Sequence, residues 1–375
     1  MEKNSILDNE VILKQIFNAK GFKIIKKIST GGYGQIFLAK GNDRLFAVKV
    51  QCSEDQLKND QIRNECFFSK SFNGKNIVTT YAIYDDRIKC KSKTTNVYSI
   101  VMEKALYQDL KFFLKYLLIG NLMKISNFNE NFAWLYHISP LTITFFIFQI
   151  IDGLKILYDC NYIHRDIKPE NLLVAYQFRV KLCDFGIVSK AKSDFQLGNG
   201  TWCYEGPEYY KDKDKRRVGD FNDSFKIDYY PIGLILYYIF FRDNVIKRDL
   251  RNTMYENKDK EQLEDLLQNA QHKILDYQLN QNENIIAFDK GNKKDKICFI
   301  DKEIGNLAIQ LINENIKERP NIIELLDNQT LNQYSNELKI INDINQFLEI
   351  KLFVEFQKSK FKHKNERVKR VKFKY

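Results

Sequence analysis

From Phe22 onward the chain alternates short apolar runs with turn residues. The runs Phe22–Ile28, Gln35–Lys40, Arg44–Gln51, Val78–Tyr84 and Val97–Glu103 have the length and the β-branched or aromatic content of strands, and Gly31, Gly32, Gly34 and Gly41-Asn42 punctuate them. One helical stretch, Asp55–Phe72, interrupts the series. After Leu106 the period changes. Leu141–Tyr158 and Ile227–Phe241 are so uniformly apolar that both are predicted as buried helices, and Leu263, Leu266, Leu267, Ala270 and Ile274 mark a more exposed one. Segments 119–139 and 279–303, rich in Asn, Lys and Asp, read as surface insertions. Residues 1–21 read as an N-terminal extension with one or two helical turns through Val11–Phe17. The pattern is α+β and bilobal: a small β-rich lobe with one helix, then a larger helical lobe.

Composition narrows the class. With 44% hydrophobic and 29% charged residues among 375, the chain is globular rather than disordered or fibrous. Its longest apolar runs fall short of the ~20 residues that a membrane span needs, so no membrane insertion is expected, and no signal-peptide pattern opens the chain. Seven scattered cysteines, odd in number and never spaced as CxxC, point away from a zinc module or a disulfide framework and toward a reducing compartment. The net charge of +11 is local. Lys358 to Lys374 holds nine Lys/Arg against Glu366, so this short stretch supplies +8 and the remainder only +3. Nucleic acid is therefore not an expected partner. The 329–375 extension with its basic tail reads as a solvated end, a contact for acidic lipid or a nuclear address on an otherwise cytoplasmic, intracellular protein.

Three stretches carry chemistry. Ser29-Thr30-Gly31-Gly32-Tyr33-Gly34-Gln35-Ile36 lies between two predicted strands, where glycines let a backbone fold over phosphates with its N–H groups toward the anion; an ordinary hairpin turn has the same composition. Phe46-Ala47-Val48-Lys49 then puts a lysine on an apolar strand. A buried ammonium needs a partner, and Glu65 on the following helix is at hand; the other reading is a lysine that reaches out to solvent. The third stretch is far more specific. Tyr162-Ile163-His164-Arg165-Asp166-Ile167-Lys168-Pro169-Glu170-Asn171 is followed, eighteen residues after Asp166, by Asp184-Phe185-Gly186. Such a set suits phosphoryl transfer: two oxygen ligands for Mg²⁺, a cation to balance moving charge, and a carboxylate to receive a hydroxyl proton.

Together these motifs resemble the eukaryotic protein kinase family, in its serine/threonine-specific branch, over about residues 22–328, with Gly206-Pro207-Glu208, Asp228…Gly233 and Arg319-Pro320 continuing the match. The resemblance implies a protein-kinase-like fold with an N-lobe over about 22–104 and a C-lobe over about 105–328. It also implies ATP and Mg²⁺ as cofactors and proteins presenting Ser or Thr as substrates. In that reading Ile28, Ser29, Thr30, Gly31, Gly32, Tyr33, Gly34, Gln35 and Ile36 cover the nucleotide, and Ala47 belongs to its site. Lys49, oriented by Glu65, holds the α- and β-phosphates. Met102 guards the back of the pocket, with Glu103-Lys104-Ala105 as the hinge. Asp166 takes the hydroxyl proton, Lys168 neutralises the moving phosphoryl group, and Asn171 and Asp184 hold Mg²⁺. By the same analogy Glu208 pairs with Arg319, Asp228 braces the catalytic loop, Thr201 contacts Asp166 and Lys168, and a regulatory partner is expected at the helix of Glu65.

The chain departs from the family pattern in places. Ser29 stands where a first loop glycine is expected. Ser69 and Thr80 are polar at positions of an apolar spine reaching Phe185 and His164, unless Phe68 and Tyr81 take those places. Leu197 stands where a phosphorylated threonine often lies, so order in the activation segment is expected from Asp194, from a partner or without help, with Ser193 as the displaced phosphosite to test. Two classes stay open: an active phosphotransferase and a kinase-shaped scaffold. Joint presence of Lys49, Asp166, Asn171 and Asp184 favours the enzyme.

Overall fold

The computed structural model describes residues 10–118, 140–241, 286–298, 302–328 and 331, with short breaks at 32–33, 54, 91–92, 193–194, 198–199, 202–203, 211–216 and 291–292. Alternation of apolar and polar positions builds the first lobe. After helix α1 (Glu10–Ala19) come strands β1 (Lys23–Thr30), β2 (Gly34–Gly41) and β3 (Arg44–Gln51), then helix α2 (Gln56–Ser71), β4 (Thr80–Cys90) and β5 (Lys93–Glu103). The strands form one antiparallel sheet in the order β1-β2-β3-β5-β4. Asn42 and Asp43 turn the β2–β3 hairpin with φ of 45° and 60°, a conformation that short polar side chains tolerate. Asp55 caps α2 by accepting a hydrogen bond from the Lys58 N–H.

The N-terminal extension is more than a turn or two. Leu13 and Phe17, one helical turn apart on α1, are fully buried in an apolar cluster with Ile24, Phe37, Val48, Val50, Val97 and Val101. Lys20 beyond the helix ties it down through Asp86 at 2.7 Å and the face of Tyr84.

The second lobe is mainly helical. It comprises α3 (Leu110–Leu118), α4 (Pro140–Asp159), the short strands β6 (Tyr162–Ile163), β7 (Leu172–Val174), β8 (Val180–Leu182), β9 (Ser189–Lys190), β10 (Phe195–Gln196) and β11 (Arg217–Val218), and helices α5 (Phe221–Phe225) and α6 (Tyr230–Phe241). A hairpin of β12 (Ile286–Lys290) and β13 (Lys293–Cys298) and helices α7 (Lys302–Leu311) and α8 (Ile322–Leu326) follow. The segment expected as a plain insertion over 279–303 thus contains a strand pair. The 263–274 helix, the 119–139 insertion and the basic tail lie outside the described residues. As expected, α4 and α6 are buried; Phe145, Phe146, Ile151, Ile232 and Ile235 sit at the centre of the main core. The predicted Ile227–Phe241 helix begins instead with a 3-10 turn at Lys226–Asp228. Among the described residues, no helix is long and apolar enough to cross a membrane.

Backbone pairing joins the lobes near the site. The Val78 N–H donates to the Leu182 carbonyl and the Leu182 N–H to that of Asn76, both at 2.9 Å. Asn76, wholly buried, donates in turn to the Val180 carbonyl at 2.7 Å and to Gln149. The stretch between Phe185 and Thr201 is held by β10 pairing with β11 and by Leu197, whose side chain is buried in the main core. Ser193 and Asp194 lie outside the described residues.

Candidate active site

Period-two alternation on β3 points Lys49 and Gln51 to one face, and α2 covers that face. The Lys49 ammonium meets Glu65 at 2.5 Å and Asp184 at 3.1 Å. Burial alone would lower the Lys49 pKa, but Glu65 and Asp184 outweigh it and hold the ammonium well above the ordinary lysine range. Burial pushes Asp184 up; the adjacent Lys49, reinforced by its hydrogen bond, wins and keeps that carboxyl below its ordinary value. For Glu65 burial is the largest influence and pulls upward, against the attraction of Lys49 and the hydrogen bonds from Lys49 and Gln51.

The loop after β6 is folded around a buried carboxylate. Asp228 accepts the His164 N–H at 2.6 Å and the Arg165 N–H at 2.7 Å. Burial is the main influence on its carboxyl and pushes it upward, opposed by these same groups. Arg165 and Asp184 both adopt left-handed backbone, with φ of 70° and 67°, a conformation that costs a non-glycine residue roughly 1–3 kcal/mol. Asp166 receives three donors: Lys168 Nζ at 2.6 Å, Asn171 Nδ2 at 2.8 Å and the Thr201 hydroxyl. Lys168 also donates to Thr201 Oγ1 at 2.7 Å. Asn171 Nδ2 further donates to the Asp166 carbonyl at 2.8 Å, which leaves the amide oxygen as the ligand atom of that side chain. Cys183, half-buried beside Asp184, has its thiol pushed up by desolvation, which keeps it protonated.

The structure brings Lys49, Glu65, Asp166, Lys168, Asn171 and Asp184 together. Most of them, with Gly31 and Thr201, border a cavity of about 330 Å³ between the lobes. Of the glycine-rich stretch, Ile28, Ser29 and Thr30 end β1, and Gln35 and Ile36 lie on β2 opposite Thr30 and Ser29. The Gly31 N–H closes the turn onto the Gly34 carbonyl at 2.8 Å; Gly32 and Tyr33 lie outside the described residues. Met102 is buried and pairs with Ala47 across β5 and β3 at the back. The Glu103 carboxylate is engaged by the Thr79 N–H and by Lys181, both at 2.7 Å, and Ala105 follows it, partly buried.

Sequence reasoning missed three contributors. Gln51 donates to Glu65 Oε2 at 2.9 Å. Gln61 and Ile62 of α2 complete the cavity wall. The spine reaching Phe185 runs through Phe72, whose ring lies 5.4 Å from that of Phe185, while Phe185 packs against His164 at the same spacing. Phe68 is buried, stacks on Phe72 and meets Tyr162 edge-on, so it reaches Phe185 only through Phe72, while Tyr81 is largely exposed. Ser69 is buried, and the Thr80 hydroxyl is buried without a hydrogen-bond partner among the described residues.

Hard oxygen ligands on Asp184 and Asn171 suit Mg²⁺, and the adjacent Lys49 suits a polyphosphate, so the donor set fits a metal–nucleotide. Comparison with known proteins agrees. The model of the protein kinase domain matches residues 22–331. The chain is 24% identical over 242 residues to an Aurora kinase of Saccharomyces cerevisiae, covering 63% of this chain and 57% of that one. It is 28% identical over 228 residues to an Aurora kinase of Schizosaccharomyces pombe, covering 59% and 54%. It is also 28% identical over 180 residues to a probable serine/threonine protein kinase, IRE4, of Arabidopsis thaliana, covering 48% of this chain and 15% of that one. The chain thus spans about half the length of the two yeast relatives and far less of the plant one. On the match over residues 22–331, the chain belongs to the protein kinase domain family.

Proposed function

We propose that the protein is a serine/threonine protein kinase that moves the γ-phosphoryl group of ATP to hydroxyls of protein substrates. The observation that carries this reading is the convergence of Glu65, Asp166 and Asp184, from separate segments of both lobes, on one cavity, with Lys49 bonded to Glu65 and Asp184 and Asn171 to Asp166. A kinase-shaped scaffold needs the fold but not that convergence. The kinship with serine/threonine kinases and the Lys168–Thr201 contact support the branch.

Asn171 and Asp184 would hold Mg²⁺, which when bound neutralises phosphate charge. The residues of the chain do the rest. Lys49, fixed between Glu65 and Asp184, presents a permanent cation to the nucleotide phosphates, with residues 28–36 above, Ala47 and Met102 at the back and the Glu103–Ala105 backbone at the edge. Asp166, its plane set by Asn171 and Lys168, accepts the proton of the incoming hydroxyl; Lys168 steadies the charge that develops on the phosphoryl group. Free thiols at Cys52, Cys66, Cys160 and Cys183 fit an intracellular setting, and exposed Phe67 on α2 fits a regulatory partner at that helix. We place the kinase unit at about 22–328.

A peptide array with Mg-ATP tests the reading. Wild-type protein should label Ser/Thr peptides, Asp166→Ala should lose about a hundredfold or more, and Asp184→Asn should lose transfer altogether. Absence of transfer by the wild type, or normal turnover by Asp184→Asn, would overturn it.

A further inference from the structure

Gln51 is a polar side chain where an apolar one would avoid a penalty. It is 1% exposed, and its Oε1 is buried with no hydrogen-bond partner among the described residues. What the side chain does make is one contact, Nε2 to Glu65 Oε2 at 2.9 Å. Lys49, two residues earlier on the same face of β3, takes the other oxygen, Oε1. The Glu65 carboxylate is therefore gripped at both oxygens by one strand. A lysine alone fixes a carboxylate at a single point and leaves it free to swing about that contact. A second donor at the other oxygen removes the swing, and with it a freedom of α2 to drift from the sheet.

Gly34 provides the room. A Cβ there would stand 2.7 Å from Gln51 Cγ and 2.3 Å from the Val50 carbonyl, so the last glycine of the turn lets Gln51 lie flat beneath it. Gln51 also sits directly opposite Tyr98 on β5, whose hydroxyl accepts a hydrogen bond from Arg63 of α2 at 3.2 Å. Three links thus run between the sheet and α2: Lys49 and Gln51 to Glu65, and Tyr98 to Arg63.

We propose that Gln51 is a positioning residue for phosphoryl transfer, acting through Glu65 to hold Lys49 in place. This rests on the kinase reading above. The groups around the Glu65 carboxyl are Lys49 on β3, Asp184 across the cavity and the neighbouring Cys66, whose thiol is pushed up to about 12 and stays neutral.

Two variants test it. Gln51→Leu keeps the volume and deletes the donor; kcat/KM for ATP should fall about tenfold with the melting temperature nearly unchanged. Gln51→Glu replaces the donor by a second carboxylate. Its rate relative to wild type should be lowest near pH 8 and recover toward pH 6, where one shared proton turns the pair back into donor and acceptor. A Leu variant within twofold of wild type, or a Glu variant whose relative rate is flat with pH, would overturn the proposal. If the wild type transfers no phosphate at all, the kinase reading falls instead. Carbon-13 NMR titration of the Glu65 carboxyl then still decides the role of Gln51: its midpoint should rise in Gln51→Leu, and an unmoved midpoint would sink the idea.

Discussion

Two of the sheltered ion pairs among the described residues, Glu208–Arg319 and Glu65–Lys49, are built differently. Glu208 and Arg319 meet through two parallel hydrogen bonds at 2.8 and 2.7 Å. The guanidinium is wholly enclosed, donates through Nε to the Asn313 carbonyl and lies over the Tyr230 ring. Gly206 leaves space for the Glu208 carboxylate, which would come within 2.5 Å of a Cβ there. Lys49 and Glu65 share a single short contact, Glu65 borders a cavity, and Lys49 reaches on to the more exposed Asp184 on the same cavity. A bidentate arginine with all three of its nitrogens engaged is a fastener. A lysine held between two carboxylates that border open space is a charge kept ready for a ligand. Geometry of this kind separates a pair that holds the fold from a pair that serves the chemistry.

Arg319→Ala should have the largest effect, a loss of about 3–5 kcal/mol of stability from stranding Glu208, read by chemical denaturation. Lys49→Met should act mainly on the chemistry: peptide phosphorylation drops a hundredfold or more, equivalent to about 2.7 kcal/mol, while the unfolding midpoint moves less than in Arg319→Ala, because Glu65 keeps the Gln51 donor and borders the cavity. If Lys49→Met unfolds the protein and Arg319→Ala merely slows it, the distinction is backwards. Replacing both partners, Glu208→Leu with Arg319→Met, should restore stability to within about 2 kcal/mol of wild type, since an apolar pair strands no charge.

Acidity sharpens the contrast at smaller amplitude. Asp184, held below its ordinary 3.8, contributes fully above that value and loses its contribution only as pH falls through the lower folded value. Lys49, held above its ordinary 10.5, contributes fully below 10.5 and fades only at still higher pH. Both contributions are therefore complete from about pH 5 to 9, and what varies there in Lys49→Met is Glu65: without the ammonium burial pushes its carboxyl further up, so the variant should lose stability relative to wild type as pH rises. The smallest effect concerns a third ionic contact that the design does not call for. Leu197 is buried and bears no hydroxyl, so phosphatase treatment should leave peptide phosphorylation within about twofold, and Ser193→Ala should match it; a tenfold loss in both would show that a phosphate is needed.

Much of this was legible in the chain itself. Alternating runs marked the sheet, and unbroken apolar runs marked α4 and α6. The charged site residues declared themselves because their spacing along two loops leaves few other uses for them. What escaped depends on positions off the regular period. Counting four residues on from Glu65 gives Ser69, but Phe72 is the extended C-cap of α2, with ψ of 133°, so its ring leaves the helix at an angle no helical count foretells. Gln51 ends a strand and reads as an exposed polar residue; only the docking of α2 buries it. For α1, the spacing of Leu13 and Phe17 was there to see, but not the sheet face that receives them.

That last element has a bearing on synthesis. The family match begins at residue 22, whereas the apolar cluster beneath α1 draws on Val48 and Val50 and then on Val97 and Val101. On the ribosome the first helix emerges long before the strands that shelter it, and its two apolar side chains wait in water until about residue 101 has cleared the exit. A chain started at Phe22 would invert the problem, leaving the outer face of the finished sheet bare and prone to self-association. The recognisable domain and the unit that folds do not begin at the same residue.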